Sequence, residues 1–474
     1  MMSTEQAAPL TGAAQSEAAQ TRRAVGNILK GSAGNLVEWY DVYIYTAFLA
    51  YFQPHFFNSK DPLQGALEGM AVFAVTFLMR PIGSWFFGRF ADRRGRKAAL
   101  TLSVTMMSAG SFFIAILPTK DVIGVWALVL LVLARLVQGF SVGGEYGTSA
   151  TYMSEAATAK RRGFFSSFQY VTLIGGQMLA LLVLVVLQNA LGKDALTEWG
   201  WRIPFAIGGV AALVVLWLRR SMEETVSASQ VEAAANAKAS GEAQPGTLKL
   251  LFTKHWRALL ICIGVTLGGT VAFYTYTNFI LSFMNNTSGI PKETTSVINF
   301  WALFIFMLLQ PVYGIISDKI GRKPLLLWFG ITGVLFTWPL MSALAGTKDP
   351  MVAFLLMMGG LLIVGGYTSI NALVKAELFP ASIRALGVGL GYALANSMFG
   401  GTVPLIGAAL QKAGQVELLF TYVTVAIGVS LLVYIFALKN KKSTHLDQEQ
   451  GHAWDAGTAA SADDDDDRLA AAKR

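Results

Sequence analysis

Charged residues are scarce in this chain: Asp, Glu, Lys and Arg make up 14% of its 474 residues, whereas 54% are hydrophobic. Soluble domains carry about a quarter charged residues, so this composition excludes a soluble globular protein and indicates a polytopic membrane protein. Cysteine occurs once, as Cys262, which rules out an intramolecular disulfide. The four histidines show no metal-site or triad spacing. We therefore predict no enzyme, no metal and no other cofactor.

Apolar stretches dominate what is present. Twelve of them are each long enough to cross about 30 Å of hydrocarbon as a helix, and the longest internal polar segment follows the sixth. We predict an all-α membrane protein with twelve transmembrane helices in two six-helix halves. The predicted divisions are a disordered N-terminal segment 1–26, a first bundle 27–219, a cytoplasmic linker 220–254, a second bundle 255–438 and a disordered acidic C-terminal segment 439–474.

A short charged turn occurs twice between apolar stretches. Residues 88–97 read GRFADRRGRK, and residues 314–323 read GIISDKIGRK. Such a repeat inside a hydrophobic chain indicates two similar helix bundles. Its glycines permit close backbone approach, and its aspartate can accept hydrogen bonds from helix-end amides. The turns resemble the signature loop of the major facilitator superfamily, and the resemblance implies conformational latches formed by Gly88, Asp92, Gly95 and Arg96 and by Gly314, Asp318, Gly321 and Arg322.

A second repeat places an acid at the end of the fourth and tenth helices. Glu155 precedes the basic run 160–162 and Gly163, and Glu377 precedes Arg384 and Gly387. Beside the charged turns, these residues can form ion pairs between helices. A permanent staple and a conformational latch both remain open at this point, and we group Glu155, Glu377 and Arg384 with the latch residues.

The net charge of +8 has a membrane explanation. Lys and Arg concentrate in the segments that flank the apolar stretches on the side of both termini. Basic residues favour the cytoplasmic side, so we predict that both termini are cytoplasmic. The distribution gives no reason to expect nucleic-acid binding.

Two acids, Glu38 and Asp41, lie three residues apart near the middle of the first helix, on one face with Tyr45. A charge near the bilayer centre costs about 2.5–3.5 kcal/mol, so such residues face a cavity, a partner or a substrate. Neighbouring acids in a low dielectric suit a proton carrier; a permanent ion pair is the alternative. We predict proton coupling through Glu38 and Asp41, with Glu145 as the next candidate.

Two arginines also fall within apolar stretches, Arg80 in the second helix and Arg135 in the fourth. The planar guanidinium suits a carboxylate, so the pair favours an anionic substrate with more than one carboxylate. Salt bridges to the intramembrane acids are the alternative. Lys375 is placed too near the cytoplasmic end of the tenth helix for a central assignment.

Polar side chains on the fifth and seventh helices can line a cavity or form ordinary hydrogen bonds between helices. From these we select three further substrate-binding candidates: Gln177, Tyr274 and Asn278.

Longer motifs identify a family. The chain reads GNLVEW at 34–39, RLVQGFSVGGEYGTSATYMSE at 135–155, FQYVTLIGGQ at 168–177 and WGWRIPF at 199–205. The charged turns resemble the signature loop of the major facilitator superfamily, and these motifs resemble its metabolite:proton symporters over residues 30–438. The resemblance implies alternating access in a bacterial inner membrane and proton-coupled import of a dicarboxylate, first of all 2-oxoglutarate. It also points to Asp92, Arg96 and Arg202 as important charges, and we group Arg202 with the latch residues.

Other readings stay open within and beyond this family. The substrate can instead be citrate, shikimate or a compatible solute such as betaine, although a quaternary ammonium favours aromatic cages over buried arginines. A transporter-like nutrient sensor is a distant alternative, because the polar terminal segments contain no recognisable signalling domain. The expected partners are a small dicarboxylate, protons and the lipid bilayer, and we expect a monomer.

Overall fold

The computed structural model describes residues 11–57, 62–220, 246–438 and 444–449. Within these ranges the chain is helical and contains no β-strand. Eleven helices of this described part are long and apolar enough to cross a membrane. The first long helix is not among the eleven, because its central acids and tyrosines lower its hydropathy, but it packs against the others. The predicted all-α membrane fold is confirmed.

The long helices form two sets of six. In the first half they are α1 Thr11–Phe56, α2 Pro62–Arg94, α3 Arg96–Ile116, α4 Trp126–Ala156, α5 Arg162–Gly200 and α6 Arg202–Arg219. In the second half they are α7 Trp256–Asn286, α8 Lys292–Ile320, α9 Arg322–Gly346, α10 Pro350–Glu377, α11 Arg384–Lys412 and α12 Glu417–Phe436. Short helices cover Lys120–Ile123, Leu248–Lys254 and His445–Glu449.

The two halves meet through equivalent elements. Helix α2 packs against α11, and α5 packs against α8. Since α8 is the second helix of its half and α11 the fifth, the same pair of positions is used twice. This arrangement agrees with the internal repeat in the sequence.

Glycines bring α2 and α4 into backbone contact. A Cβ atom at Gly83, Gly139 or Gly143 would overlap the backbone carbonyl of the facing helix. Small residues allow this approach between membrane helices. The contact fixes the distance between the side chains that α2 and α4 direct towards the centre of the bundle.

The predicted disordered segments need correction. Helix α1 begins at Thr11, so the prediction of disorder over 1–26 is wrong for residues 11–26. The linker contains the helix Leu248–Lys254, capped by the Thr247 side chain, which accepts from Leu250 N. The C-terminal segment contains the helix His445–Glu449. Residues 1–10, 221–245, 439–443 and 450–474, which include the acidic run 463–467, lie outside the described residues.

Candidate functional site

A small cavity lies between the two halves. Its lining includes Trp39, Arg80, Ser84 and Tyr146 from the first half and Tyr392 and Ala393 from the second. The space left by these side chains is about that of one water molecule. A larger ligand therefore enters only when this region opens.

Arg80 is the charged residue in the lining. Its side chain is buried, and none of its guanidinium nitrogens has a hydrogen-bond partner among the described residues. The guanidinium carbon lies 3.8 Å from the Phe77 ring centre and 5.7 Å from that of Trp39. Aromatic faces stabilise a cation but supply no acceptors. Buried polar groups are normally hydrogen-bonded, so the Arg80 guanidinium is unusual among the described residues.

Glu38 on α1 is the corresponding acid. It is buried, and neither carboxylate oxygen has a hydrogen-bond partner within the part of the chain that the structure describes. The described charged side chains near enough to act on it electrostatically are Glu145, Arg80, Arg219 and Asp41. An ionised carboxylate without donors is costly to bury. Among the described residues, Glu38 has no fixed hydrogen-bond donor.

Asp41 has a different environment. Ser111 Oγ donates to Asp41 Oδ1, and Gln138 Nε2 donates to Asp41 Oδ2 at 2.7 Å. Gln138 also accepts from Arg135 Nη1 at 2.8 Å, and the Arg135 guanidinium lies 4.3 Å from the Tyr45 ring centre. The network links Asp41 and Arg135 through Gln138. Arg135 is not part of the cavity lining.

Glu145 forms a buried ion pair with Arg219. Both carboxylate oxygens accept from the guanidinium, and Ser103 Oγ donates to Glu145 Oε2. A Cβ atom at Gly34 would overlap the Arg219 guanidinium, so the glycine of the GNLVEW motif makes room for it. Sequence reasoning missed Arg219, because a basic residue at the end of a helix looks like an ordinary interfacial cation.

Lys375 lies in the last turn of α10, as the sequence predicts, but this end of the helix is inside the protein. Lys375 is fully buried, and its Nζ donates to Tyr146 OH at 3.0 Å and to Asn371 Oδ1 at 2.8 Å. Helix α10 is interrupted between Thr368 and Asn371, whereas the apolar pattern of the sequence predicts one continuous helix. Tyr146, which accepts one of these hydrogen bonds, also lines the cavity, so Lys375 contacts the cavity wall from behind.

The remaining substrate candidates surround this centre without lining the closed cavity. The Tyr274 ring lies 6.2 Å from the Phe77 ring that supports Arg80. Asn278 Nδ2 donates to Thr277 Oγ1 at 2.9 Å. Gln177 is buried, and its Oε1 has no partner among the described residues.

The end of the bundle that carries the two charged turns, termed here the charged end, is closed by Asp92 and Asp318. Asp92 accepts from Ala385 N at 3.1 Å and Leu386 N at 3.0 Å, at the N-terminus of α11. It also accepts from Arg96 Nη1 at 2.7 Å. A carboxylate is favourable at a helix N-terminus, so Asp92 joins the two halves.

Asp318 makes the equivalent contact in the second half. It accepts from Gly163 N at 2.7 Å and Phe164 N at 2.9 Å, at the N-terminus of α5. Its basic neighbour is looser: Arg322 lies 4.0 Å from Asp318 and 3.4 Å from Glu377.

The acid at the end of α4 completes the first of these clusters. Glu155 Oε1 accepts from Arg96 Nη2 at 3.2 Å and from Arg384 Nη1 at 2.8 Å. Arg384 Nε donates to the carbonyls of Ala376 and Phe379. The Glu155 carboxylate thus forms ion pairs with one arginine from each half.

The glycines of the turns have steric roles. A Cβ atom at Gly88 would lie 2.6 Å from a Cα of α11, and one at Gly314 would lie 2.5 Å from a carbonyl oxygen at the start of α5. Gly95 and Gly321 have φ angles of 100° and 90°, which only glycine adopts readily.

Arg202 does not belong to this end. It lies at the start of α6, and its Nη1 donates to the carbonyls of Ala115 and Leu117 at 2.9 and 2.7 Å. These carbonyls are at the C-terminus of α3, whereas Arg96 begins that helix. Arg202 therefore lies at the end opposite the charged turns, and the latch role grouped from the sequence stays a prediction.

Comparisons with known proteins agree with this geometry. The family described as "Sugar (and other) transporter" matches residues 28–451. The chain is 50% identical to the alpha-ketoglutarate permease of Escherichia coli, over 90% of this chain and 96% of that protein. It is 32% identical to the proline/betaine transporter of Salmonella typhimurium, over 87% and 83% of the two chains. It is 31% identical to the citrate-proton symporter of Salmonella typhi, over 82% and 87%.

A solved structure gives the same fold. The proton:xylose symporter XylE of the major facilitator superfamily, bound to 6-bromo-6-deoxy-D-glucose, matches with a TM-score of 0.76. The match covers 91% of this chain and 99% of that structure at 18% identity. The match establishes the fold. The substrate of this chain has to be inferred from the residues of the site.

Proposed function

The chain belongs to the sugar (and other) transporter family, and we propose that it imports a dicarboxylate together with protons, with 2-oxoglutarate as the expected substrate. It is a transporter and not an enzyme. The relative that shares half of its residues is named for this substrate. Alternating access follows from the fold, because the site lies between two halves that can rock against each other.

The observation that carries the proposal is the Arg80 guanidinium, which is buried at the cavity and has no acceptor among the described residues. Arginine binds a carboxylate through two parallel hydrogen bonds. The rings of Phe77 and Trp39 stabilise the cation until the substrate arrives. Arg135 is already linked to Asp41 through Gln138, so we assign substrate binding to Arg80 first.

Glu38 is the proposed proton carrier. Import of a dianion requires compensating charge, and protonation of a buried acid supplies it. In the part of the chain that the structure describes, Glu38 has no fixed donor, whereas Asp41 and Glu145 have theirs. If protonation of Glu38 strengthens substrate binding, substrate must strengthen proton binding by the same factor.

The latches at Asp92 and Asp318 hold the charged end closed in this proposal. We place that end at the cytoplasmic face of a bacterial inner membrane, with both termini cytoplasmic, since Lys and Arg concentrate there. The functional unit in the proposal is a monomer. Release of the substrate into the cytoplasm then requires both aspartates to leave the facing helix N-termini.

The test is uptake of labelled 2-oxoglutarate into proteoliposomes with an inside-alkaline pH gradient. We expect accumulation that collapses with a protonophore and is inhibited by unlabelled 2-oxoglutarate more strongly than by succinate, citrate, shikimate or betaine. Citrate is the second candidate, since a citrate-proton symporter is among the relatives. Stronger inhibition by citrate or betaine, or accumulation without a proton gradient, would contradict the proposal.

A further inference from the structure

A second buried cation lies behind the cavity wall and belongs to the second half. Lys375 is fully buried and forms no ion pair with an acidic residue in the described part of the chain. Its Nζ donates to two neutral oxygens, Tyr146 OH and Asn371 Oδ1. These acceptors leave the charge uncompensated, and a buried charge without a counter-ion is costly.

Two stacked rings separate this lysine from the cavity. Tyr146 on α4 and Tyr392 on α11 have ring centres 3.4 Å apart and planes 12° apart. Lys375 Nζ lies 4.5 Å from the Tyr392 ring centre and 5.1 Å from that of Tyr146. Both rings line the cavity that contains Arg80. Because each half contributes one ring, rocking of the halves that opens the cavity also separates the rings.

We propose that Lys375 binds the second carboxylate of the substrate while Arg80 binds the first, after Tyr146 and Tyr392 separate. The inference rests on the proposed function and adds a requirement for two carboxylates, one for each half of the protein. A dicarboxylate bound in this way neutralises both cations and links the halves. A monocarboxylate leaves one buried cation unpaired.

The test removes each partner of the proposed ion pair in turn: one carboxylate from the ligand, and the ammonium group from the protein. Purified wild type and Lys375→Met are titrated with 2-oxoglutarate and with 2-oxopentanoate, which keeps the carbon chain and the keto group but has one carboxylate. We expect the wild type to bind 2-oxoglutarate at least about 30-fold more tightly, because loss of one partner leaves a buried charge unpaired. In Lys375→Met the ratio should fall below about threefold, with unchanged affinity for 2-oxopentanoate.

Matched variants separate binding from folding. The hydrogen bond from Tyr146 OH to Asn371 Oδ1 at 2.7 Å survives removal of the lysine, so the wall keeps its internal contact. Lys323→Met is the control, since Lys323 Nζ donates to the carbonyls of Ile435 and Leu438 at the charged end, and it should keep the wild-type ratio. Lys375→Gln replaces Lys375→Met if the latter is not monodisperse, and Lys375→Arg should restore part of the discrimination.

The outcomes distinguish two failures. If Lys375→Met weakens both ligands equally, the lysine only positions Tyr146, and the inference fails while the proposed function stands. If the wild type does not distinguish the two ligands, the inference fails in the same way. If the wild type binds neither ligand but binds betaine, the proposed function fails and the inference fails with it.

Discussion

The charged end and the centre of the bundle both contain buried charged side chains, but the two regions differ in whether those side chains have hydrogen-bond partners. At the charged end, Asp92 and Asp318 each accept two backbone N–H groups from the other half. At the centre, Glu38 and Arg80 have no hydrogen-bond partner among the described residues. Paired charges stabilise one arrangement of the halves, whereas unpaired buried charges are costly until a proton or an anion arrives.

From this contrast we propose different roles for the two regions. The buried acids of the charged end have fixed partners, so we propose that they control which conformational state is populated. Glu38 and Arg80 at the centre lack such partners among the described residues, so we propose that they determine what is bound. Substitutions at the two places should therefore affect different measurements, and the predictions below test this from the largest expected effect to the smallest.

Arg80 should give the largest effect. Arg80→Lys keeps the charge but loses the two-pronged geometry, and we expect binding of 2-oxoglutarate to weaken by at least about 30-fold, with transport lost. Isothermal titration of the purified protein measures it. Arg135→Lys is the matched control, since Arg135 is engaged by Gln138, and it should change affinity by less than about threefold. The reverse ranking would move the substrate carboxylate to Arg135.

Asp92 should affect transport without binding. Asp92→Asn removes the charge that faces the N-terminus of α11, so the closed state loses stability. We expect exchange and accumulation to fall more than about tenfold, while substrate affinity stays within a few-fold, because Asp92 lies outside the cavity lining. Loss of binding in a folded Asp92→Asn protein would show that the two regions are not separate.

Glu38 should affect coupling alone. Glu38→Gln cannot carry a proton, so we expect counterflow exchange of substrate to persist while accumulation driven by an inside-alkaline gradient is lost. Asp41→Asn is the comparison on the same helix face. Because Asp41 accepts from Ser111 and Gln138, this change should lower thermal stability and both transport modes together. Retained accumulation in Glu38→Gln would exclude it as the carrier.

Sequence reasoning predicted the fold and the position of the two charged turns because both depend on local patterns. Apolar length gives the helices, and the repeated glycine–aspartate–glycine–arginine spacing gives the two turns. It could not rank Glu38 and Asp41, which share a helix face. What separates them is Ser111 on α3 and Gln138 on α4, and no spacing along α1 reports on those helices.

Three other charges show the same limit. Arg219 at the end of α6 looks interfacial, but it pairs with Glu145 inside the bundle. Lys375 depends on an interruption of α10 that the apolar pattern does not reveal. Arg202 was grouped by resemblance with residues at the far end of α3. Each placement is set by a partner that is distant in sequence.

The smallest expected effect lies between the two latches themselves. Both aspartates bind a helix N-terminus, but Arg96 contacts Asp92 at 2.7 Å in a fully buried position, whereas Arg322 lies 4.0 Å from Asp318 and is partly exposed. Exposed ion pairs contribute about 0–1 kcal/mol. We therefore expect Arg322→Ala to slow transport by less than about threefold and Asp318→Asn by about three- to tenfold, both less than the matching changes at Arg96 and Asp92.

Asp349→Asn is the control for this last comparison. Asp349 accepts from the backbone amides of Met351 and Val352 at the start of its own helix, and Asn is an equally good N-cap, so transport should not change. Initial rates of counterflow for all five variants, at equal reconstituted protein, give the ranking. If Asp318→Asn reduced the rate as much as Asp92→Asn, the ion pair with the adjacent arginine would contribute nothing, and the contact with the helix N-terminus alone would hold each latch closed.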